Sequence, residues 1–180
     1  RLSQELPQDL DTLKNPNYAL PTIIYDREGN QVSELFIHRR VVIPYSSFPP
    51  HLIQALIASE DSHFFSHFGI DPIRIIKAFF INLKAWRFEQ GASTLTQQTA
   101  RLFLLSREKK LVRKLKEILL ALRIERQFSK QEILTLYFNK VFLGNAEGVE
   151  ASAQDYFGKH TDELTLAESA MLVGLLPAPS

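Results

Sequence analysis

Apolar positions recur at helical spacing through most of the chain beyond Pro50. Leu52, Ile53, Leu56 and Ile57 give one face of a helix opened by Pro49 and Pro50 and closed at Glu60 and Asp61. Asp71 followed by Pro72 has the form of an N-cap and a first-turn proline, and predicts a helix to about Arg87. Thr94 with Gln97 has capping-box form, with Ser93 as the alternative cap, and predicts a helix through Leu105. Leu111, Leu115, Ile118, Leu119 and Leu122 predict the buried stripe of a longer helix from about Glu108 to Phe128. Ser129 with Glu132 and Thr165 with Glu168 are two further capping boxes, and Pro177 stops the last helix.

The first part of the chain reads differently. Residues 1–21 are polar, carry Pro7, Pro16 and Pro21 and have no steady period, which suits a linker or an irregular arm. Two short strands then flank a Gly29-Asn30 turn, at 22–25 and 31–37, with 41–43 as a candidate third; no other stretch reads as β. The expected division is an arm over 1–43 and a mainly α domain over 44–180.

Composition narrows the class without naming a partner. Hydrophobic residues make up 45% and charged residues 23% of 180, which is globular and not disordered. There is no cysteine, so disulfides, thiolate metal sites and a cysteine nucleophile are excluded. With 21 Lys+Arg against 20 Asp+Glu, anion binding has to come from local clustering. No apolar run approaches the roughly 18 residues of a membrane-spanning helix. The chain begins at an arginine with no leader pattern and reads as an excised piece.

Three clusters carry candidate chemistry. Glu60 and Asp61 fall at the carbonyl end of an apolar helix, where a negative charge is disfavoured; with Phe64 and Phe65 beside it, Glu60 becomes a better proton acceptor. The alternative is a pair of solvated helix-end acids, and His63 and His67 add only a weak metal-ligand pattern. The small-residue loop 90–94 enters a helix whose free N–H groups suit a phosphate. Thr94, Gln98 and Arg101 follow on one face, as a polar cleft wall or as the ordinary polar side of a capped helix. Finally, Arg113 and Glu117 share a face opposite the leucine stripe, flanked by Lys110 and Lys114. One carboxylate in a cationic strip fits a diphosphate, and equally fits a solvated face with intrahelical ion pairs. No aromatic interleaving or groove-binding motif supports a nucleic-acid partner. The helix after Asp71, with Ile76, Phe79, Phe80, Leu83, Trp86 and Phe88 among basic residues, suits an interfacial membrane helix or a core helix with snorkelling cations.

In order, these segments resemble the peptidoglycan glycosyltransferases of family 51, found in class A penicillin-binding proteins and in monofunctional enzymes. The resemblance rests on EDSHFFSHFGID at 60–71, QGASTLTQQ at 90–98, RKLKE at 113–117, KQEILTLYFNKVFLG at 130–144 and GVEASAQDYFGK at 148–159. It implies a lysozyme-like helical domain with a small membrane-facing jaw at about 72–90 and a short N-terminal β arm. It implies polymerisation of lipid II into β-1,4-linked glycan with release of undecaprenyl diphosphate, at the extracytoplasmic face of the bacterial cytoplasmic membrane, with the membrane anchor outside this sequence. Glu60 is then the catalytic base, and Glu117 assists near the departing diphosphate or a bound divalent ion, magnesium or manganese, with no organic cofactor. Asp61, Lys77, Ser93, Thr94, Gln97, Gln98, Arg101, Arg113, Lys114 and Asn139 are then substrate-binding. Partners are lipid II, the growing glycan strand, the membrane surface and a C-terminal transpeptidase domain in the parent protein. Arg101 stands where many members have Lys, Lys77 where Arg is common, and Phe138 replaces the usual Leu. A lytic enzyme acting on finished glycan, with Glu60 as general acid, would want a second carboxylate across the sugar. A non-enzymatic helical binding domain would need no polar convergence around Glu60.

Overall fold

The computed structural model describes residues 6, 10–14, 16, 18, 22–35, 39–85, 92–104, 110–144 and 146–176. It is mainly α, as expected. After a one-turn helix α1 (Asp11–Lys14) come the strands β1 (Thr22–Tyr25), β2 (Gln31–Leu35) and β3 (Arg39–Arg40). The helices α2 (Pro50–Glu60), α3 (Pro72–Ala85), α4 (Leu95–Leu104), α5 (Lys110–Gln127) and α6 (Lys130–Lys140) follow. A short strand β4 (Ala146–Glu147) precedes α7 (Val149–Phe157) and α8 (Leu166–Gly174). The Ser129/Glu132 and Thr165/Glu168 capping boxes both form, closing α6 and α8 at their N-termini.

Helix α4 is the centre of the arrangement, packed against α5 on one side and α6 on the other, while α2 lies on α8. Leu52, Leu56, Phe64, Leu95, Leu120, Ile124, Ile133, Leu134, Tyr137 and Leu172 fill the shared core.

The face that α5 buries is the reverse of the expected one. Leu111, Leu115 and Leu119 are 83%, 51% and 38% exposed, and Glu117, Leu120, Ala121 and Ile124 turn inward instead. The two faces were correctly separated by their spacing. On the inward side Lys114 reaches Gln97 of α4, Glu117 lies buried beside it, and Leu120 and Ile124 seal the same face.

The arm is more than a linker. Leu6, Leu10 and Leu13 are buried in the main core. The β1–β2 hairpin is antiparallel and exposed, but β3 sits at 39–40 rather than 41–43 and pairs parallel with β4, a strand the sequence pattern did not indicate. Buried Arg40 pairs with Glu147 and stacks over Tyr18, 5.3 Å from its ring centroid. The Tyr18 ring in turn meets Phe103 of α4 edge-on at 6.1 Å.

Candidate active site

Glu60 ends α2, where a negative residue opposes the helix dipole. Arg74 from α3 compensates: its guanidinium donates to the Glu60 carbonyl oxygen and lies 3.6 Å from Asp61 Oδ1. The half-buried Glu60 carboxylate is met by α4, where Gln98 Nε2 donates to Oε2 at 2.9 Å. The other end of that amide accepts the Tyr137 hydroxyl of α6 at 3.3 Å. Burial pushes the Tyr137 phenol well above its ordinary range, the Glu60 charge acts in the same direction, and Arg101 opposes both.

The residue before Gln98 on α4 reaches a second cluster. Gln97 Oε1 accepts from Lys114 Nζ at 3.3 Å. The same ammonium donates to Ser93 Oγ at 2.7 Å and to Glu117 Oε2 at 3.0 Å. Arg113 Nε stands 3.5 Å from the other oxygen of Glu117. Glu117 is thus buried between two cations, as expected, and the solvated-face alternative fails for it. Gln97 Nε2 and Arg113 Nε are buried donors without a hydrogen-bond partner among the described residues. Such orphans are costly unless a ligand completes them.

Three expected substrate contacts are spent inside the protein. Asp61 is fully buried, and its Oδ2 accepts the Leu95 N–H and His67 Nε2, each at 2.9 Å. Thr94 is fully buried and donates its hydroxyl to the Gly69 carbonyl at 2.6 Å. The Thr94 and Gln97 N–H groups close a reciprocal capping box through Gln97 Oε1 and Thr94 Oγ1. The start of α4 is therefore not an open phosphate cradle, because its N–H groups at 94, 95 and 97 are already taken. Asn139 holds the arm: its Nδ2 donates to the Ile43 carbonyl at 2.8 Å and its Oδ1 accepts the Ile43 N–H at 3.0 Å. A side-chain amide used at both ends on one backbone residue has little left for a sugar.

Arg101 is exposed one turn beyond Gln98. Lys77 is exposed on α3, and among the described residues it joins neither cluster. The two histidines of the first motif part into separate pairs, His67 with Asp61 and His63 with Asp71 at 2.7 Å. Burial acts to raise the Asp71 carboxyl, but the Arg74 N–H and His63 hold it below its ordinary range. Among the described residues no group of three acids or imidazoles gathers for a metal.

Tyr137 and Glu125 were not singled out by the sequence. Glu125 accepts from Thr96 Oγ1 at 2.5 Å and from Lys130 Nζ at 2.7 Å, bracing α4 against α5 and α6 from the side away from Gln98. No local pattern announces either residue, since each meets α4 from a helix some 30 to 40 positions along the chain.

A transglycosylase family model matches residues 28–180. The chain is 46% identical to penicillin-binding protein 1A of Escherichia coli (strain K12) over 180 residues, covering 99% of this chain and 21% of that protein. It is 48% identical to penicillin-binding protein 1A of Aquifex aeolicus (strain VF5) over 158 residues, covering 87% of this chain and 22% of that one. A crystal structure of penicillin-binding protein 1A from Haemophilus influenzae aligns with 30% identity and a TM-score of 0.45, over 91% of this chain and 15% of that one. The chain spans about a fifth of the length of these relatives. Since the family match takes in the Glu60, Gln98 and Glu117 motifs that build the site, the chain belongs to the transglycosylase family, that of the peptidoglycan glycosyltransferases its motifs resemble.

Proposed function

We propose that the chain joins lipid II units into β-1,4-linked glycan with inversion at the donor sugar. The observation that carries this is the placement of adjacent residues on α4: Gln98 meets Glu60, while Gln97 meets the Lys114–Glu117 cluster. A base and a cationic cluster so flank one helix start. Glu60 takes the proton from the acceptor 4-hydroxyl as its oxygen bonds to the donor anomeric carbon. The bond from that carbon to the diphosphate oxygen breaks with its electron pair, and undecaprenyl diphosphate leaves. Lys114 and Arg113 meet the negative charge that develops there, helped by the side-chain Nε2 of Gln97, which has no hydrogen-bond partner among the described residues. Glu117 holds both cations in place and is not itself a second acid across a sugar, which separates this reading from a lytic one.

For a divalent cation the cluster offers one carboxylate, Glu117, whose oxygens already face Lys114 and Arg113. This donor set does not make a resident metal centre, and no step is routed through one.

Membrane contact is part of the reading. Among the described residues no helix is long and apolar enough to cross a membrane. Ile73, Ile76 and Phe80 of α3 are nonetheless 72%, 58% and 63% exposed, and Leu111, Leu115 and Leu119 of α5 are exposed as well. Phe68, Ile73 and Leu122 line one pocket of about 390 Å³, which joins the two helices. Cover by the outer leaflet of the bacterial cytoplasmic membrane accounts for this face and for a lipid-linked substrate. The side chains of Phe79, Leu83, Trp86 and Phe88, also expected there, lie outside the described residues. A transpeptidase domain belongs to the proposed parent protein.

The test is Glu60→Gln with lipid II in detergent, reading glycan length. Loss of about 100-fold or more in turnover with substrate binding retained is expected for removal of a general base. Lys114→Ala should weaken binding and turnover together. Near-normal elongation by Glu60→Gln would overturn the assignment of the base.

A further inference from the structure

Tyr137 is 1% exposed on α6, its ring sealed in the core and its hydroxyl aimed at the Gln98 amide. The amide has one accepting end and one donating end, and Glu60 lies on its donating side. An ionised carboxylate only accepts, so it needs the N–H end of the amide facing it. The carbonyl end of the partly buried amide takes the Tyr137 hydroxyl as its donor.

We infer that Tyr137 is a positioning residue for the base, setting the orientation of the Gln98 amide and with it the form of Glu60 that the site favours; this rests on the assignment of Glu60 as base. A hydroxyl both donates and accepts. Once Glu60 has taken a proton, its O–H can donate to the amide oxygen if the amide turns over. The amide nitrogen then donates to the Tyr137 oxygen. In that turned-over arrangement the Tyr137 O–H has lost its acceptor, so the amide is held with its N–H end toward Glu60, the end that suits the ionised carboxylate. A phenylalanine would keep the packing but remove the donor at the carbonyl end. Without that donor the bias is gone: either end of the amide can face Glu60, and the oxygen-facing arrangement favours the protonated acid.

The other charged groups around this pair, among the described residues, are Arg74 of α3 on the Glu60 carbonyl, Asp61 next in the chain, and Arg101 of α4 acting on Tyr137. None is removed by Tyr137→Phe, so a change in the pH profile reports on the amide.

The experiment measures lipid II polymerisation by the wild type, Tyr137→Phe, Gln98→Met and the double variant between pH 5 and pH 9. Tyr137→Phe is expected to move the acid limb of kcat/KM up by about one pH unit and to lower kcat near neutrality about tenfold, with KM within about twofold. Gln98→Met, which removes the amide and keeps the phenol, is expected to move the limb in the same direction. The double variant should lose no more than the worse single one, because both act through one contact. An unmoved acid limb in folded Tyr137→Phe, or losses that multiply in the double variant, would overturn the inference. Should Tyr137→Phe lose its cooperative melt, an unmoved limb in Gln98→Met overturns it instead. Retained activity in Glu60→Gln is a separate result, since it removes the base and not the residue that positions it.

Discussion

Asp61 caps the first residue of α4: its Oδ2 accepts the Leu95 N–H at 2.9 Å while also holding His67 Nε2. The residue beside Glu60 therefore fixes the helix that carries Gln97 and Gln98. Glu60 and the Lys114–Glu117 cluster are spaced by this one fully buried carboxylate.

Asp61→Ala leaves a helix-start N–H and an imidazole nitrogen buried without a partner. The expected cost is roughly 3 kcal/mol in urea denaturation, with polymerisation lost in parallel. Asp61→Asn keeps one acceptor and should lose less of both. A variant with normal stability and a raised KM alone would instead make Asp61 a substrate contact.

Gly69 provides the second anchor of α4, since its carbonyl accepts the Thr94 hydroxyl. It has φ +87°, and a Cβ there would stand 2.7 Å from the Ala121 carbonyl oxygen of α5. Gly29, in the exposed hairpin turn, has φ +86° with nothing within 4 Å of such a Cβ. Gly29→Ala should cost about 1 kcal/mol for the backbone alone. Gly69→Ala adds a clash with backbone that cannot move aside, and should cost about 3 kcal/mol or more and reduce polymerisation. Equal melting shifts in the two variants would show that the α5 contact yields freely.

Helix starts were legible because capping is local: Ser129 and Glu132, Thr165 and Glu168, Thr94 and Gln97 all sit within one turn. The clustering of Arg113, Lys114 and Glu117 was legible for the same reason. The inward face of α5 was not, because spacing separates two faces without saying which one meets a neighbour. Asp61, Thr94 and Asn139 were assigned to substrate by resemblance, whereas their buried partners come from Leu95, Gly69 and Ile43. Leu6, Leu10 and Leu13 did carry a helical spacing, hidden among prolines and polar residues.

The outward leucines of α5 give a prediction that stability measurements can separate from binding. Leu111→Gln with Leu115→Gln alters side chains that are 83% and 51% exposed, so unfolding should change by less than about 1 kcal/mol. Binding to vesicles of anionic and zwitterionic lipid should fall about tenfold or more, as two leucines lose contact with the acyl boundary. Unchanged vesicle binding would remove α5 from the membrane-facing surface.

The α7 end of the domain should show its own pH dependence. Burial acts to raise the Glu150 carboxyl, but the Thr161 hydroxyl and N–H, His160 and Gln154 hold it below its ordinary 4.5. The hydrogen bond from exposed His160 to Glu150, at 2.7 Å, together with that carboxylate's charge, raises the imidazole above its ordinary 6.5. A group whose value is raised on folding stabilises fully below its unfolded value and ceases to do so as pH rises through the folded one. For a lowered carboxyl the contribution is full above the unfolded value and fades as pH falls through the folded one. The pair should therefore stabilise most between about pH 4.5 and 6.5. The melting temperature of His160→Ala should lie furthest below that of the wild type near pH 5.5, and the gap should close as the pH is raised toward 9. In Glu150→Gln the same histidine substitution should produce a much smaller pH-dependent gap, because the largest cause of the raised imidazole is gone and only the charges of Glu163 and Asp162 still act on it. A wild-type advantage that instead grew from pH 5.5 to pH 9 would mean that His160 stabilises α7 as a neutral ring, by packing and not by its bond to Glu150.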